Sequence, residues 1–370
     1  MTSSRPKHSG KLPDASERQR IFYWLQRISS VTAWRRVLAH FEAWAIATEN
    51  SVRLADEKGW ADKTSLSHSE YALILKCLAH CEAGVQRLSK GDKRVFKFDA
   101  DGEFAMAVRM LTHWVEMLDR IEIGDSRVNP YVPLWEPFCV ALEALSAAWR
   151  ECAPDVLQSR FIEDPAPTVY GLRLKPLLQT MPFPAMLDPV PDPSENIFVR
   201  TGLAIPFSGI WEPVAEGKPT TTSLLSMFKR APDPHAPFEI AGAMNYLHGG
   251  SKAPQVNVST FDDIFKNDTT WRLIWKDERY LDGIVPAIEA QYQFAEPQLQ
   301  QAAPPAIGTS EDMLWAESGA IAAVSGKWLV ESDPSASVNL QKGEKLPLHE
   351  GCVARWVPAE ITDQTGGLRP

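Results

Sequence analysis

The chain has 370 residues, 44% of them hydrophobic and 23% charged, a globular composition with apolar mass for two domains. Its net charge of −9 is unevenly placed: residues 1–190 balance 24 basic against 24 acidic side chains, whereas residues 191–370 carry 14 against 23. Such an acidic half repels nucleic-acid phosphates and anionic lipid, and no apolar run reaches the roughly 18 residues that cross a bilayer.

The opening MTSSRPKHSGKLPDAS is polar and lacks an apolar h-region, so no secretory signal is expected. Five scattered cysteines read as reduced thiols and a cytoplasmic setting rather than a disulfide scaffold. The acidity itself has two readings, attraction of a basic partner or simple solubility.

From residue 17 to about 56, Ile21, Trp24, Leu25, Ile28, Val31, Trp34, Leu38, Phe41, Trp44 and Ala45 recur at spacings of three and four. That lays one apolar stripe on one or two helices. SHSEYALILKCLAHCEAGVQRL is a second helical region with Ser67 or Ser69 as cap and Gly91 beyond its end. DGEFAMAVRMLTHWVEMLDRIEI and PLWEPFCVALEALSAAWREC are a third and fourth, and short connections predict an antiparallel bundle over 17–180.

Then TMPFPAMLDPVPDPSEN sets five prolines close together, which no helix continues, so 181–194 reads as an extended linker. Beyond it NIFVRTG, PQVNVSTF, TWRLIW, GKWLVES and CVARWVP are short runs of β-formers separated by Gly and Pro. With helices at 221–230 and 283–295 between them, residues 195–370 form an acidic, β-rich domain. The predicted class is α+β.

RTGLAIPFSGIWEPV returns in altered form as ESGAIAAVSGKWLVE. Gly202, Ser208, Gly209 and Trp211 fall without a gap on Gly319, Ser325, Gly326 and Trp328. A looser echo matches Gly202 and Pro206 with Gly343 and Pro347, and Trp211-Glu212-Pro213 with Trp356-Val357-Pro358. Gly allows a positive-φ turn and the Trp can anchor it to a core, so the unit is a duplicated hairpin. A nucleophile elbow needs Gly-x-Ser-x-Gly between strand and helix, which is absent here.

GLAIPFSGIWEP, MNYLHGGSKAP and WRLIWKDERYLDGIVP together resemble the polymorphic-toxin immunity proteins of families seventy-one and seventy-two. In those, a Trp-rich helical region precedes a segment like Gly-x-x-Cys-Pro-x-Ser-Gly-x-Trp. Here Ile205 stands where the Cys is expected, which removes a metal or redox role for the motif. The resemblance implies a cytoplasmic antidote that binds a cognate toxin, often one delivered by type VI secretion.

Several clusters invite chemistry. Cys77, His80 and Cys81 share a helix but lack a second knuckle for zinc, and a buried thiol face is the plainer reading. Arg35, Arg36 and His40 form an isolated basic pair and neighbour, too little for nucleic acid in an acidic protein. His248 before two glycines suggests an oxyanion loop, a phosphate cradle or a plain turn, from which Asn245 and His248 can reach a partner.

Around Arg279, the residues Asp277, Glu278, Asp282 and Glu289 are either a solvated face, carboxylates that act as acid and base or hold Mg²⁺, or a partner-binding patch alongside Trp271, Trp275 and Tyr280. The expectation is a non-enzymatic immunity protein whose contact residues are Asp277, Glu278, Asp282, Trp275, Tyr280, Asn245 and His248. It has no catalytic, cofactor or metal residues, and its partner is a toxin with a basic surface. A metal-assisted or acid–base hydrolase using Asp277, Glu278, Asp282 and His248, and a secretion-system scaffold, are the competing readings. A homo-oligomer stays open.

Overall fold

Asp14 opens the first helix, α1 (Ala15–Ile28), through a capping box in which its side chain and that of Glu17 each accept the other residue's N–H. Ser29 and Ser30 end it by turning their hydroxyls back onto the Leu25 and Arg27 carbonyls. Ser30 Oγ also accepts the Ala33 N–H and so starts α2 (Val31–Glu57). The long apolar stripe read from the sequence is thus carried on two helices, divided at a pair of serines that bond their own backbone.

The computed structural model describes residues 12–123, 132–161, 163–171, 174–192, 197–215, 239–259, 264–295, 307–310, 313–322, 325–331, 333–349 and 351–358. Four more helices follow in the N-terminal half: α3 (His68–Leu88), α4 (Glu103–Glu122), α5 (Trp135–Val156) and α6 (Leu174–Thr180). Trp34 lies at the helical core, stacked on Phe104 at 3.9 Å between ring centroids and meeting Trp149 edge-on at 5.4 Å. Residues 181–192 hold neither helix nor strand.

Strands occupy the C-terminal half. In chain order they are β1 (Phe198–Arg200), β2 (Gly209–Val214), β3 (Asn245–Leu247), β4 (Val256–Ser259), β5 (Ile264–Asn267), β6 (Thr270–Lys276), β7 (Ile307–Ser310), β8 (Met313–Glu317), β9 (Gly326–Val330), β10 (Asp333–Leu340) and β11 (Arg355–Pro358). They form two antiparallel sheets, ordered β1-β6-β2-β3 and β10-β9-β11-β8-β7, and a hairpin β4-β5. Helices before, antiparallel sheets after: the class is α+β. The helix expected at 283–295 is only a 3-10 turn over Ala287–Gln291, because Gly283 and Pro286 interrupt the approach to it. The helix expected at 221–230 lies outside the described residues.

The two sheets use one hydrogen-bond frame. Gly202 and Gly319 turn with φ of 84° and 88°, and their N–H groups donate to the Ala253 and Leu346 carbonyls. Ser208 Oγ accepts the Gly249 N–H at 2.9 Å, and Ser325 Oγ accepts the Lys342 N–H at 2.8 Å. Trp211 stands opposite Asn245, as Trp328 stands opposite Val338. Gly209 must be glycine, since a Cβ there would lie 2.1 Å from the Trp275 carbonyl oxygen.

The looser echo needs correcting. Trp271 Nε1 donates to the Pro254 carbonyl at 2.8 Å and Trp356 Nε1 to the Pro347 carbonyl at 3.0 Å. Gly250 and Gly343 donate to the Ile205 and Ala322 carbonyls in the same way. Gly343 and Pro347 therefore correspond to Gly250 and Pro254, and Trp356 to Trp271, because strand register rather than residue spacing sets the equivalence.

By contacts the chain divides into two compact units, one of residues 1–46, 72–116 and 141–297, the other of 47–71, 117–140 and 298–370. The first sheet packs Val199, Ile205, Trp211, Leu247, Val256, Trp271 and Leu273 into its core. The second packs Ala316, Ala322, Trp328, Val330, Leu346 and Trp356.

Candidate functional site

At the end of β6 the chain turns through residues 277–286, and the turn begins on a buried charge. Asp277 accepts from Arg279 Nε at 2.8 Å and Nη2 at 2.7 Å, and from the Tyr246 hydroxyl at 2.9 Å, with Lys93 Nζ 3.4 Å away. Burial pushes the Asp277 carboxyl up, but Arg279, Lys93 and the Tyr246 hydroxyl outweigh it and hold the group below the usual carboxylate range. Burial in turn draws the Lys93 ammonium down to about 8 against the attraction of Asp277.

Arg279 reaches on to α1, donating to the Gln26 carbonyl at 2.8 Å and to Ser29 Oγ at 2.7 Å. Tyr280 follows with φ of 71°, an uncommon conformation for a bulky residue. Its surroundings over-determine it. The hydroxyl accepts the Val31 N–H at 2.9 Å and donates to Glu289, while the Lys93 ammonium lies 4.2 Å from the ring centroid. Glu289 closes the set by accepting the Thr32 N–H and hydroxyl.

Above this locked base the loop presents a mixed surface. Leu281 and Ile284 are 69% and 65% exposed, and Ile288 is exposed with them. Glu278, paired with Lys276 at 2.6 Å, and Asp282, which accepts the Ile284 N–H at 2.9 Å, are exposed beside them. Leu281 and Glu278 also border a cleft of about 360 Å³ shared with Arg94, Pro206 and Phe207. Trp275 is half-buried, edge-on to Phe22 at 6.3 Å with the Arg279 guanidinium 4.9 Å from its ring centroid.

The seven expected contact residues are therefore divided. Glu278, Asp282 and part of Trp275 reach the surface; Asp277, Tyr280, Asn245 and His248 lie inside. Asn245 is spent on the backbone of Thr168, accepting its N–H at 2.8 Å and donating to its carbonyl at 3.3 Å. His248 packs against both Phe96 and Tyr246, and burial, with Lys97 adding to it, lowers its pKa to about 4 despite a hydrogen bond to the Val156 backbone. Sequence reasoning missed Lys93, Tyr246 and the apolar residues Leu281, Ile284 and Ile288. Only the last three left a signal: apolar side chains in a Gly- and Pro-broken stretch that no helix or strand can bury.

The other clusters are occupied internally. His80 Nδ1 bonds Glu103 at 2.7 Å, and burial pushes the neighbouring Cys81 thiol up to about 12. Arg36 pairs with Glu151 at 3.1 Å. Among the described residues no group of three His, Cys, Asp or Glu side chains is placed to hold a metal ion, and no helix is long and apolar enough to cross a membrane.

No curated protein and no solved structure matches the chain. Two family models do. Residues 12–167 match Immunity protein 71, and residues 189–293, which carry the first sheet and the 277–286 turn, match Immunity protein 72. Taken in succession along the helices and the first sheet, these matches support an immunity protein.

Proposed function

We propose that the chain neutralises a bacterial toxin by binding it, and that the 278–288 loop is the contact. The observation that carries this reading is the loop itself: exposed Leu281, Ile284 and Ile288, ringed by Glu278 and Asp282, on a base fixed by buried charges. A fixed backbone lowers the entropy lost on association, and exposed apolar groups supply the area that holds a complex. Acidic neighbours steer a basic toxin surface and speed encounter. The antidote acts in the cytoplasm, on a toxin delivered by a neighbouring cell, with type VI secretion the route that the resemblance implies. The hydrolase alternative gains nothing from this geometry, since Asp277 is engaged in the interior, His248 is buried apart from it, and Glu278 and Asp282 face outward.

The test is stopped-flow mixing with the protein encoded by the adjacent reading frame, at low and high salt. Glu278→Lys with Asp282→Lys slows association about tenfold and removes most of its salt dependence. Leu281→Ala with Ile284→Ala leaves association near wild type and speeds dissociation. Association that ignores both salt and the charge reversals would remove the loop from the interface.

A further inference from the structure

The loop that follows β3, His248-Gly249-Gly250, borders a second cavity of about 360 Å³, which shares no lining residue with the cleft beside the 278–288 loop. Residues 97–99, residues 157–161 just after α5, and residues 246–252 meet around it, all within the first compact unit. Ile205, Tyr246 and Leu247 are buried in its wall, while Phe98 and Phe161 stand exposed at its rim. Gly250 turns there with φ of 80°, and a Cβ on it would find only Lys97 Nζ, 3.9 Å away.

Two groups on this wall have hydrogen-bonding capacity left over. His248 Nδ1 is buried without a partner, so the ring's bond to the Val156 backbone runs through Nε2. Burial keeps the ring neutral at pH 7, and a neutral ring that donates from Nε2 holds a lone pair at Nδ1. A buried nitrogen left unpaired costs about 1–3 kcal/mol, a penalty that a ligand's N–H removes. Gln158 Oε1 accepts the Phe98 N–H and the Ser251 hydroxyl at 3.3 Å each, which leaves the amide's N–H groups as donors. An acceptor and an amide donor on one apolar wall complement the edge of a nucleobase.

The charge of the lining runs against that of the chain. Lys97, Arg160 and Lys252 outnumber Asp99 and Asp164, in a protein of net charge −9. Asp99 pairs with Lys97 at 3.0 Å, and Asp164 accepts the Ser159 hydroxyl. The Arg160 guanidinium lies 6.0 and 5.6 Å from the ring centroids of Phe98 and Phe161, with no carboxylate paired to it among the described residues. Two aromatic rings thus hold an unspent fork of donors at the rim. A phosphate monoester, with a charge of about −1.5 to −2 at pH 7, suits that fork and the nearby Lys97 ammonium.

We propose that this cavity binds a nucleoside monophosphate, its base edge on His248 Nδ1 and Gln158 and its phosphate at Arg160. The depth order matches: the base goes to the buried end, the sugar crosses the apolar wall, and the anion stays at the exposed rim.

Isothermal titration calorimetry of the full chain with AMP, GMP, CMP and UMP tests this. At least one binds in the micromolar range, and its parent nucleoside and inorganic phosphate, each lacking half of the contacts, bind about tenfold or more weakly. Arg160→Ala, an exposed position, weakens the nucleotide about tenfold and leaves the nucleoside unchanged. His248→Phe keeps a ring against Phe96 and Tyr246 but lacks Nδ1, and it weakens nucleotide and nucleoside alike; far-UV circular dichroism checks its fold. Should that variant not fold, the nucleoside comparison and Arg160→Ala decide. No binding by any of the four, inorganic phosphate as tight as the nucleotide, or a nucleotide affinity unmoved by Arg160→Ala would each overturn the proposal. A single-stranded oligonucleotide that bound more tightly than every mononucleotide would overturn it too, by making the cavity part of a nucleic-acid surface.

Discussion

In the first sheet, β3 is buried throughout and the residues after it, His248 and Ser251, are buried too; in the second, β10 alternates exposed and half-buried side chains and residues 341–345 are all exposed. Both sheets nonetheless turn at a positive-φ Gly, tie a following loop to a Ser hydroxyl, and seat Trp side chains in their cores. The frame and what surrounds it are thus separable. Backbone geometry at Gly and the bulk of Trp suffice for the frame. Enclosure comes from the residues hung on it: Asn245 bonds the Thr168 backbone, Tyr246 bonds Asp277 and His248 packs on Phe96, whereas their counterparts by strand register, Val338, Asn339 and Gln341, are half-buried or exposed.

The sharpest way to break this comparison is to remove the charge on which the first sheet's enclosure rests. Asp277→Ala leaves Lys93 and Arg279 as buried cations with no carboxylate between them, and lowers stability by about 3–5 kcal/mol in denaturant unfolding. A loss below about 1 kcal/mol would mean that water or Glu289 already serves those cations, and that the cluster does not hold the loop.

Next in size is a pH dependence set by His248, which follows β3 of the first sheet. Burial holds the folded-state pKa of His248 at about 4, below its ordinary 6.5. Between those values the unfolded chain takes up a proton that the folded chain refuses, so stability falls as pH drops through this window. The loss is on the order of 3 kcal/mol if the whole shift is realised. Asp277, depressed below the carboxylate range, adds a further loss at lower pH in the same direction. His248→Gln flattens the upper part of the profile, while replacing the exposed Gln341 changes nothing there. Equal slopes for wild type and His248→Gln would show that another group titrates.

The smallest effect tests the likeness rather than the difference. Ser208→Ala and Ser325→Ala each remove one hydroxyl that accepts a backbone N–H, and each costs about 1 kcal/mol. Melting curves that fell for one and not the other would separate the two turns.

Much of the fold was legible because its signals are local. Apolar residues three and four apart define the helices wherever they pack, and the repeated Gly, Ser-Gly and Trp report backbone turns that depend on few neighbours. β3 was not legible: three residues ahead of His248-Gly249-Gly250 carry too short a pattern to distinguish strand from turn. The break between α1 and α2 was hidden as well, because Ser29 and Ser30 interrupt the helix without interrupting the stripe.

The candidate site divides along the same line. From the sequence alone came the concentration of acidic and aromatic residues between Trp271 and Glu289, since composition and spacing are properties of the chain. What it did not contain was the distinction between Asp277 and Glu278, adjacent carboxylates of one local pattern. One is closed in by Arg279, Tyr246 and the distant Lys93, and the other stands in solvent against Lys276. Burial of a charge is decided by whether folding brings opposite charges and donors to it. Only the tertiary structure carries that information.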